Sequence, residues 1–122
     1  IYGPGEEEYP RKVQSMMKQR ALPEYPHSGI ARMRGIFERA TLHIGCDNGP
    51  ANIAKASPCS TIVLYSNSRA SSWTPPGNPR YITLENDVPC KSKCLHERCK
   101  NPICVTNTTV DEVLEATKRV LI

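Results

Sequence analysis

Aromatic side chains are scarce in this sequence: 122 residues include one Trp, one Phe and five Tyr. Aliphatic residues must therefore carry most of the packing, within a hydrophobic fraction of 39% that supports only a modest core. No apolar run approaches the roughly 20 residues needed to cross a bilayer, so no transmembrane segment is expected. Nor is charge of one sign in large excess, since 16 basic and 12 acidic residues leave +4. That balance mildly favours anionic ligands such as phosphates. The basic residues are scattered and lack the aromatic interleaving of single-strand binders, which argues against nucleic acid as a partner. There is no internal repeat, and the length fits a single domain over residues 1–122. The chain begins with Ile1 in what reads as the end of an apolar strand, so the expectation is a piece of a longer protein, truncated at its N-terminus.

What is present is an alternation of helical and strand patterns. Ile1-Tyr2 reads as a strand end and Gly3-Pro4-Gly5 as a tight turn. Glu6, Glu7 and Glu8 then place negative charge where a helix N-terminus favours it. A first helix is expected over about Tyr9 to Arg20, with Val13, Met16 and Met17 in the core. Leu22 to Pro26 is a proline-bearing connector. Ser28 caps a second helix through Ala40, whose buried stripe is Ile30, Met33, Ile36 and Phe37. Leu42 to Gly45 is a short strand that stops at Asp47-Asn48-Gly49-Pro50, and a third helix carries Ile53, Ala54 and Ala56. Thr61 to Tyr65 is a near-continuous apolar run, the mark of a strand buried on both faces of a parallel sheet. Residues 66–80 read as loop and Tyr81 to Leu84 as a last strand. Thr109-Val110-Asp111-Glu112 opens, with an N-cap, a C-terminal helix at about 109–121 that presents Val113, Leu114, Ala116, Val120 and Leu121. The class is therefore α/β, a Rossmann-like parallel sheet with flanking helices.

Six cysteines stand at 46, 59, 90, 94, 99 and 104. Cys46 and Cys59 adjoin strands and read as small buried hydrophobes. Cys90, Cys94, Cys99 and Cys104 crowd into a Cys-rich loop at 88–105. Their spacing is compatible with a structural zinc or iron ion, with His96 as a spare ligand, but equally with disulfides or with free thiols.

In an open parallel sheet ligands bind beyond the carboxyl ends of the strands, and two turns stand there, Gly3-Pro4-Gly5 and Asp47-Asn48-Gly49-Pro50. Gly49 allows close backbone approach and Pro50 suits the first helical position. Exposed amides near Asn48, Gly49 and Ala51 would form an anion site for a diphosphate. The Asp47 carboxylate would repel phosphate there, so it orients the loop or meets a sugar hydroxyl.

The segment Ala40 to Ala56 also resembles the signature of glycosyltransferase family nine, the lipopolysaccharide heptosyltransferases. Its pattern runs Ile-Gly, one residue, Asp-Ser/Thr-Gly, two residues, His, an aliphatic and Ala. Here it stands as Ile44-Gly45-Cys46-Asp47-Asn48-Gly49, then Asn52-Ile53-Ala54. Gly3 with its acidic run resembles the family's Gly-x-x-(x)-Glu turn. Leu22-Pro23-Glu24-Tyr25 with Gly29-Ile30-Ala31 resembles the segment along the nucleotide base, and the Cys-rich loop and tail helix also have counterparts.

The resemblance implies the C-terminal half of a GT-B fold, binding a nucleotide-diphospho-sugar donor, by family default ADP-heptose. It implies that Asp47, Asn48, Gly49 and Asn52 contact the donor's sugar and diphosphate, that Glu6 or Glu7 holds the ribose and that Tyr25 packs on the base. Transfer would be inverting, by direct displacement at the anomeric carbon, with no cofactor for catalysis. The catalytic base and the glycan or lipid-linked acceptor would belong to an N-terminal domain outside this chain. The location implied is cytoplasmic or peripheral at the inner membrane. Departures from the pattern are plain. Asn52 replaces the motif's His and cannot be charged, and Ser66-Asn67-Ser68-Arg69 replaces a Gly-Pro-Thr-Asp-Pro loop, which leaves a non-catalytic nucleotide-sugar-binding module, or a metal-stabilised interaction module, as the alternative expectation. Arg69 there could offer a positive charge to a diphosphate.

Overall fold

The computed structural model describes residues 1–21, 29–94 and 98–122. Its contacts divide the chain into two compact units, residues 1–33 and 34–122.

In the first unit Gly5 takes a positive φ of 81° within the turn, a conformation that suits a residue without Cβ. Helix α1 (Glu8–Met16) follows and ends earlier than the pattern suggests, where Met17 turns to an extended ψ of 137°. It buries none of its residues, and Val13, Met16 and Met17 are exposed rather than in a core. An apolar stripe at helical spacing specifies a face, but burial also needs a surface laid against that face. Helix α2 (Ile30–Arg39) runs across the boundary between the units and opens after Gly29, at φ 94°, whose carbonyl accepts from the Met33 amide. Met33 and Phe37 are buried as expected, whereas Ile30, in the first turn, is exposed. The Ser28 cap lies outside the described residues.

The second unit is an open parallel sheet flanked by helices. Strands β1 (Leu42–Cys46), β2 (Ser60–Tyr65) and β3 (Tyr81–Glu85) lie in sequential order with β2 central. Helix α3 (Gly49–Lys55) joins the first pair. A single turn, α4 (Ala70–Trp73), interrupts the connection expected to be all loop; the Thr74 amide closes it on the Ala70 carbonyl at 2.8 Å. A 3-10 turn at Lys91–Lys93 and the short helix α5 (Ile103–Thr106) lie in the Cys-rich segment. Helix α6 (Val110–Leu121) begins with a reciprocal capping box between Thr109 and Glu112.

Register shows which side chains share a face. His43 pairs with Thr61 and Gly45 with Val63, while Thr61 and Tyr65 pair with Tyr81 and Glu85. That face is covered by α3 and α4, because Ala51, Val63, Tyr65 and Ala70 form one buried cluster. Ile62 and Leu64 point the other way, as alternation along a strand demands. On that side Asn86, the next residue of the same parity beyond β3, donates to the Cys104 carbonyl at 3.1 Å and to Thr108 Oγ1 at 2.8 Å. Helix α6 packs against β2 and β3. Thr61, Ile62, Val63 and Tyr65 are all buried, so β2 is covered on both faces as its apolar run implies.

Two expectations fail at the edges of this core. Leu114 and Leu121 are exposed, and α6 buries Ala116 fully, with Val113, Thr117 and Val120 partly covered. At about 100° per residue, positions 113, 116, 117 and 120 share a stripe, while 114 and 121 fall on its flank. Cys59 is buried, but Cys46 is exposed, like Ile44 on the same face of β1. β1 is the edge strand of the described sheet, beyond the strands that α6 covers.

Candidate functional site

Three loops leave the carboxyl edge of the sheet, and the polar residues of interest stand on them. After β1 the Asp47 amide donates to the Leu64 carbonyl at 3.0 Å, carrying the ladder one residue beyond the strand. Asn48 stays extended and caps α3, its side-chain oxygen accepting from the Ala51 amide at 3.1 Å. This changes the expected anion site. The Ala51 amide is already satisfied and the residue is fully buried, Pro50 has no N–H, and α3 is only seven residues long. The turn therefore offers side chains more than amides: partly buried Asp47 and Asn52, and exposed Asn48.

The loop after β2 reaches back to this turn. Ser68 Oγ donates to Asp47 Oδ2, a tie across 21 positions that fixes the carboxylate. Sequence reading missed it; the only signal was a polar run directly after a buried strand. The next residue, Arg69, leads into α4 and keeps its side chain exposed.

The loop after β3 completes the edge. Glu85 Oε2 accepts from the Ala70 amide at 3.0 Å and Oε1 is ion-paired with Lys91. Lys91 foremost, helped by the Ala70 amide, holds the Glu85 carboxyl below its ordinary range. Arg69, Ser71, Glu85, Asp87 and Lys91 line an open cleft of about 420 Å³. Asn67 and Ser92 line an adjoining space with Arg69, Asp87 and Lys91.

Beneath the edge, the sheet is braced by a polar relay on the α3 face. Lys55 Nζ donates to Tyr65 Oη at 3.3 Å and to the Trp73 carbonyl at 2.8 Å. Tyr65 Oη also pairs with Thr74 Oγ1 at 2.7 Å, and Tyr81 Oη donates to the Lys55 carbonyl at 2.7 Å. These bonds hold the end of α4 and the start of β3 against α3 and β2.

At the opposite end of the same face, His43 Nε2 and Thr61 Oγ1 are buried without a hydrogen-bond partner among the described residues. The His43 ring stands edge-on to Phe37, with centroids 5.0 Å apart. Burial lowers its pKa, because a charged imidazolium there would lose water and gain no acceptor. A base with a depressed folded pKa is bound by protons more readily in the unfolded chain. Stability is therefore full above the unfolded value, about 6.5, and falls as pH drops through it towards the folded pKa. Denaturant midpoints measured between pH 8 and pH 5 are expected to fall with acidification, and less steeply in His43→Gln. Equal slopes would remove His43 from the account.

The remaining expected ligands stand elsewhere or outside the described residues. Glu6 and Glu7 are turned onto their own loop: Glu6 Oε2 accepts from the Gly3 amide at 2.7 Å and Glu7 Oε1 from the Gly5 amide at 3.2 Å. Backbone amides lower the Glu7 pKa, so it is an anion near neutral pH. Tyr25, expected on the base, and His96, the spare metal ligand, lie outside the described residues. Cys90, Cys94 and Cys99 are exposed and Cys104 is partly buried. Among the described residues no three His, Cys, Asp or Glu side chains are gathered to hold a metal ion. No helix among the described residues is long and apolar enough to cross a membrane.

No protein-family model, curated protein or solved structure matches this chain.

Proposed function

We propose that this chain is the donor-binding domain of an inverting glycosyltransferase of the GT-B type, taking a nucleotide-diphospho-sugar at the carboxyl edge of its sheet. The observation that carries the reading is the Asp47 carboxylate, set at the end of an interior-facing ladder and fixed by Ser68 from the neighbouring loop. A carboxylate held in one orientation accepts hydrogen bonds from vicinal hydroxyls with little further loss of freedom, which suits a sugar. The resemblance of residues 40–56 to glycosyltransferase family nine supports the same assignment and adds ADP-heptose as the default donor. On this reading the domain orients the donor and stabilises the departing nucleotide diphosphate. The base that activates the acceptor comes from a companion domain.

A two-dimensional NMR titration of the chain with ADP, UDP, GDP and their sugar conjugates tests this. Shifts at Asp47 to Asn52 and Ser66 to Ser68, larger with one base than with the others, are the expected result. The absence of shifts there with every nucleotide and conjugate at millimolar concentration would sink the proposal.

A further inference from the structure

The cleft at the ends of β2 and β3 lies two strands along the edge from Asp47. With strands about 4.8 Å apart, its floor is roughly 10 Å from the Asp47 turn. Its charges are arranged unevenly. Both Glu85 oxygens are engaged, one by Lys91 and one by the Ala70 amide, so Glu85 and Lys91 largely neutralise each other. Among the described residues the Arg69 guanidinium and the Asp87 carboxylate make no hydrogen bond or ion pair, although the Arg69 charge acts on Glu85 from a distance and helps lower its pKa. Both are exposed on the cleft wall. The cleft thus offers one unspent fork of donors, one unspent acceptor, and the hydroxyl or amide groups of Ser71, Ser92 and Asn67.

That inventory selects among ligands. A bare dianion gains Arg69 but is repelled by Asp87. An apolar ligand finds only Val88 and Pro89 to cover it, and Val88 is itself buried. A ligand with one anionic group and several hydroxyls satisfies both unspent groups at once, and a volume of about 420 Å³ accommodates a monosaccharide-sized guest. We propose that this cleft is a second subsite, for a sugar bearing a phosphate or carboxylate, with Arg69 on the anion and Asp87 accepting hydroxyls. A planar guanidinium pairs with either anion through two parallel bonds, so the shared chemistry is an anionic sugar. The Glu85 floor of this site is separate from the Asp47 turn, and the assignment does not depend on what that turn binds.

The test is NMR titration of the 122-residue chain with glucose 6-phosphate, glucuronate, glucose, inorganic phosphate and alanine. Both anionic sugars, or one if the site selects between phosphate and carboxylate, are expected to shift amides of Asn67 to Ser71 and Glu85 to Ser92. Glucose, phosphate and alanine are expected to bind at least about ten-fold more weakly. Arg69→Gln should weaken the anionic sugar by about ten- to a hundred-fold, the effect of one charged hydrogen-bonding group. Asp87→Asn should weaken the sugar while leaving inorganic phosphate no weaker. Phosphate binding as tightly as glucose 6-phosphate, alanine displacing the sugar, an unaffected Arg69→Gln, or no shift at all would each overturn the assignment. Nucleotide-dependent shifts at Asp47 to Asn52 and Ser66 to Ser68, with none at Glu85 to Ser92, would leave the donor reading standing when this one fails, so the two readings fall separately.

Discussion

Replacing Ile62 by Ala is expected to lower the free energy of unfolding by about 2–5 kcal/mol, the usual cost of truncating a buried Ile. Ile62 is fully buried in the central strand, paired to Ile44 on one side and Ile82 on the other. The sheet's backbone bonds hold both neighbours in register, so the surroundings cannot collapse far into the space left behind. Such a loss is a large share of the roughly 5–15 kcal/mol that stabilises an ordinary domain. Ile44→Ala is the matched control. It lies on the same face, one strand over, yet is 48% exposed, and its cost should stay below about 1 kcal/mol. Urea denaturation of the two variants, read at constant slope, measures the difference. Similar midpoints would mean that the two faces of the sheet are not covered as described.

Asp47→Ala is expected to weaken a nucleotide-sugar by about ten- to a hundred-fold, the range for losing hydrogen bonds to an ionised group. The free nucleotide should suffer much less, because a carboxylate meets the sugar's hydroxyls and not the phosphates. Ser68→Ala leaves the carboxylate in place but frees its rotation, so a smaller loss, about three-fold, is expected from ordering one side chain again on binding. Isothermal titration with a nucleotide and with its sugar conjugate separates these effects. If Asp47→Ala loses nucleotide and conjugate equally, the carboxylate acts on the loop and not on the sugar. If it loses neither, Asp47 has no part in binding.

What the sequence made legible was whatever depends on near neighbours. The run Thr61 to Tyr65 announced a strand buried on both sides, and Thr109 with Glu112 announced a helix start, because each signal is complete within a few residues. Asp47-Asn48-Gly49 was visible as a turn for the same reason. What the turn does was not. Whether the Ala51 amide stays open to a ligand depends on the rotamer of Asn48, which closes it. Ser68 meets Asp47 only because parallel pairing brings the ends of β1 and β2 level, and Lys91 meets Glu85 only once the chain beyond β3 doubles back. Composition also misled in both directions. A Ser- and Pro-rich stretch hid the turn of α4, and helical spacing at Val13, Met16 and Met17 advertised a burial that α1 does not achieve.

The sequential strand order has a consequence for how the polypeptide emerges during synthesis. Both links between strands step in the same direction, and α3 and α4 both cover one face. When β3 leaves the ribosome, that face can close at once, since everything it needs has already been made. The other face cannot. Its cover is α6, residues 110–121, with the short α5 beside it against β2, and until α6 appears Ile62 and its neighbours stay partly open to water and to chaperones. A nascent chain stalled before residue 110 would be a half-closed sheet, sticky on one side, and residues 110–121 act as its latch.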